Sequence, residues 1–385
     1  MMLGFLLARS GVRVQVLEKH ADFFRDFRGD TIHPSTLELM HELGLLDEFL
    51  KVPHEEVREL AGVVGGETVK MADFSHLPTK CKFLALMPQW DFLNFLAQQA
   101  KRYSGFELHT EAEAVDVILD RDRVRGVRVK TPAGVSDFAA DLVIGADGRH
   151  STIRERAGLA VRDMGAPMDV LWMRLSRKPG DPGHTLGYVV PGQILILITR
   201  SDYWQCGLVI RKGAFDEIRA RGLPPFRDAL AGIAPFLRDR LEEVDNWDQI
   251  KLLTVKVDRL PTWYRPGLLC IGDAAHAMSP IGGVGINVAI QDAVAAANIL
   301  CDPLRAGTVS PDDLARVQRR RELPVRIIQT AQIAIQNRVI RRVLATDKPI
   351  SLPWPLKLLQ RHPAFRRIPA RLIGLGFRPE HIRTT

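Results

Sequence analysis

Cysteine is scarce in this sequence. Cys81, Cys206, Cys270 and Cys301 stand alone among 385 residues, and no two form a Cys-x-x-Cys pair. Such spacing excludes a disulfide framework and the usual zinc sites, and it fits a reducing, cytoplasmic setting with no metal. No apolar run of bilayer length is evident. The longest candidate, around Leu186–Ile198, is broken by Pro191-Gly192, so no transmembrane segment is expected. The opening Met-Met-Leu-Gly-Phe-Leu-Leu-Ala lacks the basic flank of a secretory signal. Internal repeats and low-complexity stretches are absent as well. The net charge of +8 invites a nucleic-acid reading, yet no interleaved aromatic stacking surface or nucleic-acid motif accompanies it.

What remains is a chain long enough for two or three domains, with 25% charged and 46% apolar residues, ordinary for a globular protein. Much of the positive excess lies after residue 314, from Arg316 through Arg342 and beyond. It reads as a solvated helix face, with attraction to an acidic membrane surface or acidic substrate as the alternative.

Periodicity divides the chain. Residues 2–10 read as an apolar helix stopped at Gly11, followed by a strand over Val12–Leu17 in which valines alternate with polar residues. A helix is predicted over Ser35–Leu46 with Ser35 or Thr36 as its N-cap, and another from about Trp90 to Tyr103. Val115–Leu119, Val124–Val129 and Asp137–Ile144 read as a three-stranded meander. Strands at Val170–Leu175, Leu186–Val190, Gln193–Thr199 and Trp204–Ile210 predict a separate, mostly antiparallel sheet, and the chain is helical from Asp312 with a break at Pro349–Pro355.

The stretch Pro266–Val294 is the most informative. A short apolar strand, Leu268–Ile271, ends in Gly272-Asp273, and a turn rich in glycine (Gly282, Gly283, Gly285) opens a helix near Ile286. An aspartate at a strand's carboxyl end can accept hydrogen bonds from sugar hydroxyls. Glycines let backbone N–H groups approach an anionic edge at a helix N-terminus. A second run, Gly145-Ala-Asp-Gly-Arg-His-Ser-Thr-Ile-Arg154, places Asp147-Gly148 after another short strand, with Ser151 able to cap a helix. Glu18 ends the Val12–Leu17 strand, where an acidic residue binds ribose hydroxyls in dinucleotide-binding units.

Together with the loop Arg28-Gly-Asp-Thr-Ile-His-Pro-Ser-Thr-Leu-Glu-Leu and with Gln89 in Met87-Pro88-Gln89, these runs resemble the FAD-dependent aromatic-ring hydroxylases, the p-hydroxybenzoate hydroxylase-like flavoprotein monooxygenases. The resemblance implies an α+β chain with a Rossmann-like FAD-binding domain over 1–53, 86–159 and 260–302. A substrate domain over 54–85 and 160–259 interrupts it, and a helical region over 303–385 follows. It implies FAD bound by Glu18, Arg28, Gln89, Asp147, Gly148, Gly272 and Asp273. Pro280 would lie beside the flavin's reactive edge, and the backbone of Gly283, Gly285, Ile286 and Asn287 around the ring. It implies NAD(P)H as reductant, O₂ as co-substrate, and hydroxylation of a phenolic small molecule through a flavin C4a-hydroperoxide.

Trp172, Tyr188, Trp204 and Met173 are candidates to line the substrate pocket, no catalytic acid or base is evident, and His276 reads as structural. Counting back from Glu18 places the glycine fingerprint before residue 1, so the natural product is expected to begin about 10–20 residues upstream, or this form to be flavin-free. The tail Asp312–Arg378, with Ile327, Ile328, Ile333, Ile335, Val339 and Ile340, is expected to pack partly on the core and to help form a homodimer or touch an acidic surface. The rival readings are a flavin reductase on the same fold and a non-catalytic remnant. A halogenase is disfavoured by the lack of a Trp-x-Trp-x-Ile-Pro run.

Overall fold

In the computed structural model, which describes residues 1–24, 31–182, 186–200 and 202–384, two pairs of parallel strands anchor the first half of the architecture. Val14–Leu17 lies beside Phe106–His109, and Val143–Gly145 beside Leu268–Cys270 with Gly145 opposite Cys270. Parallel neighbours need crossover connections, and helices lie among them. The helix Met2–Arg9 is apolar on nearly every side, and Met2 through Ala8 are all buried where it packs between Gln89–Ala100 and Gly285–Arg305. It approaches its strand so closely that a Cβ on Gly4 would stand 2.7 Å from Val16 Cγ2.

Contrary to the sequence expectation, one stretch is long and apolar enough to span a bilayer: Ile281–Arg305, containing the helix Gly285–Arg305. Its apolar character has another origin. The most apolar window is 72% buried inside the protein, against Met2–Arg9 on one side and Pro311–Ile335 on the other. A helix surrounded by protein is hydrophobic all round.

Two further expectations are corrected. The meander is formed by Glu113–Asp120, Arg123–Thr131 and Gly134–Ala139, while Val143–Gly145 leaves it for the sheet with Leu268–Cys270. The helix predicted over Ser35–Leu46 runs Pro34–Glu42, with His33 as N-cap and no side-chain cap bond. Pro34 suits the first helical position because its missing N–H would have no intrahelical partner there. Thr36 spends its hydroxyl on Asn287 instead.

The second half is a seven-stranded sheet in the order Lys251–Leu253, Met168–Ser176, Tyr203–Arg211, Gln193–Thr199, Leu186–Val190, Glu59–Val64, Glu67–Asp73. All neighbours are antiparallel except Leu186–Val190 with Glu59–Val64. Alternation along the strands gives it two apolar faces. One carries Leu171, Met173, Leu195 and Trp204 and is covered by the helix Leu223–Ile233 and the turns after it. The other carries Met168, Val170, Trp172, Ile194 and Val209. Ile340, Val343 and Leu344 of the C-terminal region cover part of this second face, and Ile281 packs against it. The expected docking of the tail is thus seen for Ile340, whereas Ile335 and Val339 point to solvent.

Candidate flavin site

The turns after Cys270 and after Gly145 leave the carboxyl ends of adjacent parallel strands, the edge at which open α/β sheets bind ligands. Asp273 and Asp147 are therefore brought to one edge although 126 positions separate them. The backbone ties the turns together, Ile271 N donating to Gly145 O at 3.0 Å. Arg154, the last residue of the Asp-Gly motif, reinforces the link. Its buried guanidinium donates to Ala274 O at 3.1 Å and Arg149 O at 2.9 Å, and lies 3.9 Å from Asp258. Arg149 stands 3.7 Å from Asp273, whose side chain keeps 31% of its surface open.

The two aspartates differ in what their carboxylates do. Asp147 accepts from Ser151 Oγ and, at 3.1 Å, from Ile153 N, while Ser151 Oγ accepts from Arg154 N at 2.9 Å. Asp147 and Ser151 together satisfy the first N–H groups of the helix Thr152–Arg156, so Asp147 shapes the turn containing Gly148. Asp273 is half-buried at the neighbouring strand end beside Arg149.

Beneath Gly272-Asp273 lies a buried ionic network that motif reading did not find. Asp292 accepts from Gly272 N at 3.1 Å, from His276 Nε2 at 2.6 Å and from Arg321 Nε at 3.0 Å. Arg321 continues to Glu380 Oε1 at 3.3 Å, an oxygen that Arg320 reaches at 2.7 Å. Burial alone pushes the Asp292 carboxyl up, but His276 and Arg321 outweigh it and hold it below the ordinary carboxylate range. The signal was present in the sequence: a carboxylate inside the apolar run Val288–Leu300 needs a buried partner. His276 is structural, as its turn position suggested.

After Pro280 the chain makes a tight turn into Gly285–Arg305. Gly283 has φ +61°, and a Cβ on it would stand 3.0 Å from Thr31 Oγ1. Among the described residues no side chain caps this 21-residue helix, and no acid occupies its first turn. Its N–H groups at Gly285 and Ile286 thus form a positive pole suited to the N1–C2=O edge of a flavin. With the partly exposed Asp273 for flavin hydroxyls, the residues fit FAD. Asn287 contributes its side chain elsewhere: Oδ1 accepts from His33 N at 3.0 Å and Thr36 Oγ1 at 2.7 Å, and Nδ2 donates to Thr31 O at 3.0 Å. It braces the loop 31–36 against the turn. Gly283→Ala, strained by the left-handed backbone at about 1–2 kcal/mol, is expected to weaken FAD binding about fivefold to 30-fold in a fluorescence titration.

Of the other expected ligands, Glu18 stands at the end of its strand, with its N donating to His109 O at 2.8 Å and Oε1 accepting from His20 N at 3.0 Å. Gln89 opens the helix Gln89–Ala100 and is half-buried. Arg28 lies outside the described residues.

The pocket candidates separate. Trp172 lies on the face that meets Ile281, its ring against Gly207, where a Cβ would come within 2.7 Å of the indole. Trp204, Met173 and Tyr188 belong to the opposite face, under Leu223–Ile233, and the Trp204 indole donates to Asp181 Oδ2 at 2.9 Å. Alternation reverses which side a residue faces at every step along a strand, so these three cannot line a pocket shared with Ile281.

The sequence profile described as an FAD binding domain matches residues 1–330. The chain belongs to the FAD-dependent monooxygenase family. This flavoprotein is 30% identical over 387 aligned positions to 6-methylpretetramide 4-monooxygenase of Streptomyces rimosus, with 99% of its own length and 91% of that protein's covered. It is 27% identical to an uncharacterized aromatic compound monooxygenase of Bacillus subtilis, over 76% of its own length but only 57% of that relative's. The solved anhydrotetracycline hydroxylase OxyS of Streptomyces rimosus has the same fold, with a TM-score of 0.75 at 22% identity over 98% of this chain and 74% of that one.

Proposed function

We propose that this flavoprotein hydroxylates an aromatic, phenolic small molecule with NAD(P)H as reductant and dioxygen as the oxygen source. The observation that carries the reading is the placing of Trp172's sheet face against Ile281, directly after Pro280 and beside the uncapped helix, with Asp273 at the adjoining strand end. The relatives' names, for 6-methylpretetramide, an aromatic compound and anhydrotetracycline, support the substrate class. Bound FAD would take electrons from NAD(P)H and activate dioxygen at its C4a edge.

The chain's own contribution is positioning and electrostatics. The Gly285 helix terminus would favour negative charge on the flavin's N1 edge, and Asp273 would receive hydrogen bonds from its hydroxyls. Asp147, Ser151 and Arg154 hold the neighbouring turn rigid. The sheet face around Trp172 supplies a dry apolar wall for the ring and keeps water away.

Incubation with ¹⁸O₂, NAD(P)H and a panel of phenols tests the proposal. Nicotinamide oxidation is expected to accelerate with the accepted phenol, and one labelled oxygen to enter the product. Turnover without label would sink the proposal in favour of a reductase. Purified protein without a flavin absorbance band, even after FAD is added, would favour the non-catalytic reading.

A further inference from the structure

Between Asp347 and Glu380 the chain carries seven lysines and arginines and no acidic residue. Two short helices in this segment, Trp354–Arg361 and Arg367–Gly374, are joined through the turn Pro363–Arg366 and lie on the edge strand Glu67–Asp73. Their inward sides are accounted for. Gln360 Nε2 donates to Thr68 O at 2.9 Å, Ala370 is buried, and Gly374 packs against Leu77, Pro34 and Phe74. Covering a sheet edge explains those contacts.

It does not explain the outward sides. Trp354 is 76% exposed, Ile368 60%, Leu372 55% and Phe365 43%. Phe365, Ile368 and Leu372 repeat at i, i+3 and i+7, so they form one stripe rather than scattered surface residues. Exposed Lys357, Arg361, Arg367 and Arg371 lie among them.

We propose that this face docks on an anionic lipid surface. Short helices with Trp, Phe and Leu on one side and Lys and Arg beside it lie in the membrane interface. There the apolar groups enter the acyl boundary and the cations meet lipid headgroups. Trp354, the most exposed of the set, is the residue type that settles at headgroup depth. The charge argues against a second copy on the same face, because a twofold contact would set one cationic patch against another across a desolvated interface. The segment continues inward: the Ile373 carbonyl accepts from His33, and Leu372, Leu375, Phe377 and Pro379 line a small cavity shared with His33 and Asn287. The docking face is therefore contiguous with the support of the flavin turn.

Co-sedimentation of the whole protein with phosphatidylcholine vesicles, with and without phosphatidylglycerol, tests the assignment. Binding is expected to the phosphatidylglycerol vesicles and to weaken as salt is raised. The charge variant R361Q/R367Q/R371Q and the apolar variant W354S/F365S/I368S should each lower partitioning by on the order of 100-fold. All these side chains are exposed, so melting temperature and flavin content should stay at wild-type values. No sedimentation with anionic vesicles at low salt would overturn the proposal, as would equal binding to pure phosphatidylcholine or unchanged binding of both variants. Lipid-free self-association that the apolar variant abolishes would assign the face to a second copy instead.

Discussion

Asp292→Ala is expected to destabilise the protein by about 3–5 kcal/mol and to release FAD, because it removes the buried carboxylate that His276 and Arg321 share and leaves Arg321 with Glu380 alone. Arg321 is 1% exposed and His276 1%, and neither can recover hydration without opening the fold. The same carboxylate receives Gly272 N, so its loss also frees the turn that presents Asp273. Urea unfolding and the flavin spectrum read the two consequences separately. Asp292→Asn retains the shape and one acceptor, and should fall between wild type and alanine on both scales. A wild-type flavin content in the alanine variant would show that the network does not position Asp273. The depressed pKa of Asp292 adds a pH signature: its stabilisation is present above the unfolded carboxylate value and is lost as pH falls through the lower folded value.

Acidification is expected to cost a further amount of about 3 kcal/mol through His33 alone. Its imidazole is buried, and burial pushes its pKa from 6.5 down to about 4, outweighing the backbone groups of Ile373 and Gly283 that favour protonation. Between these two values the unfolded chain binds a proton that the folded chain refuses. Stability therefore falls as pH drops from 6.5 to about 4, and His33 adds no slope above that window. His33→Asn, whose amide can still donate to Ile373 O, should flatten this part of the stability curve. An unchanged slope in that variant would remove His33 as the cause.

Much of the flavin site was legible because its geometry is local. A strand of three or four apolar residues, an aspartate at its end and glycines before a helix all lie within one short stretch. Each element follows from propensities and backbone freedom that neighbouring residues define. Both aspartate turns, the helix opened by the glycine-rich turn and the Ser151 cap were readable in that way. The two faces of the large sheet were less so. Trp172 and Trp204 look alike in sequence, each an aromatic in an apolar strand, but pairing register sends one toward Ile281 and the other under Leu223–Ile233. The apolar character of Gly285–Arg305 was equally ambiguous, since a core helix and a spanning helix satisfy the same composition.

By itself, then, the sequence determined the strand-turn-helix units around Asp147 and Asp273, the flavin chemistry they suit and the cationic bias of the C-terminal region. Hydrogen bonds within a turn are encoded by residues a few positions apart. Tertiary structure alone decided that Asp273 comes to the same sheet edge as Asp147, and that Asp292 is answered by Arg321 and His276. It also decided that the helices after Lys348 bury Ala370 and Gly374 while leaving Ile368 and Leu372 in solvent. Those outcomes depend on partners tens to hundreds of positions away, and a buried charge or an apolar stripe acquires its meaning only from what the fold sets against it.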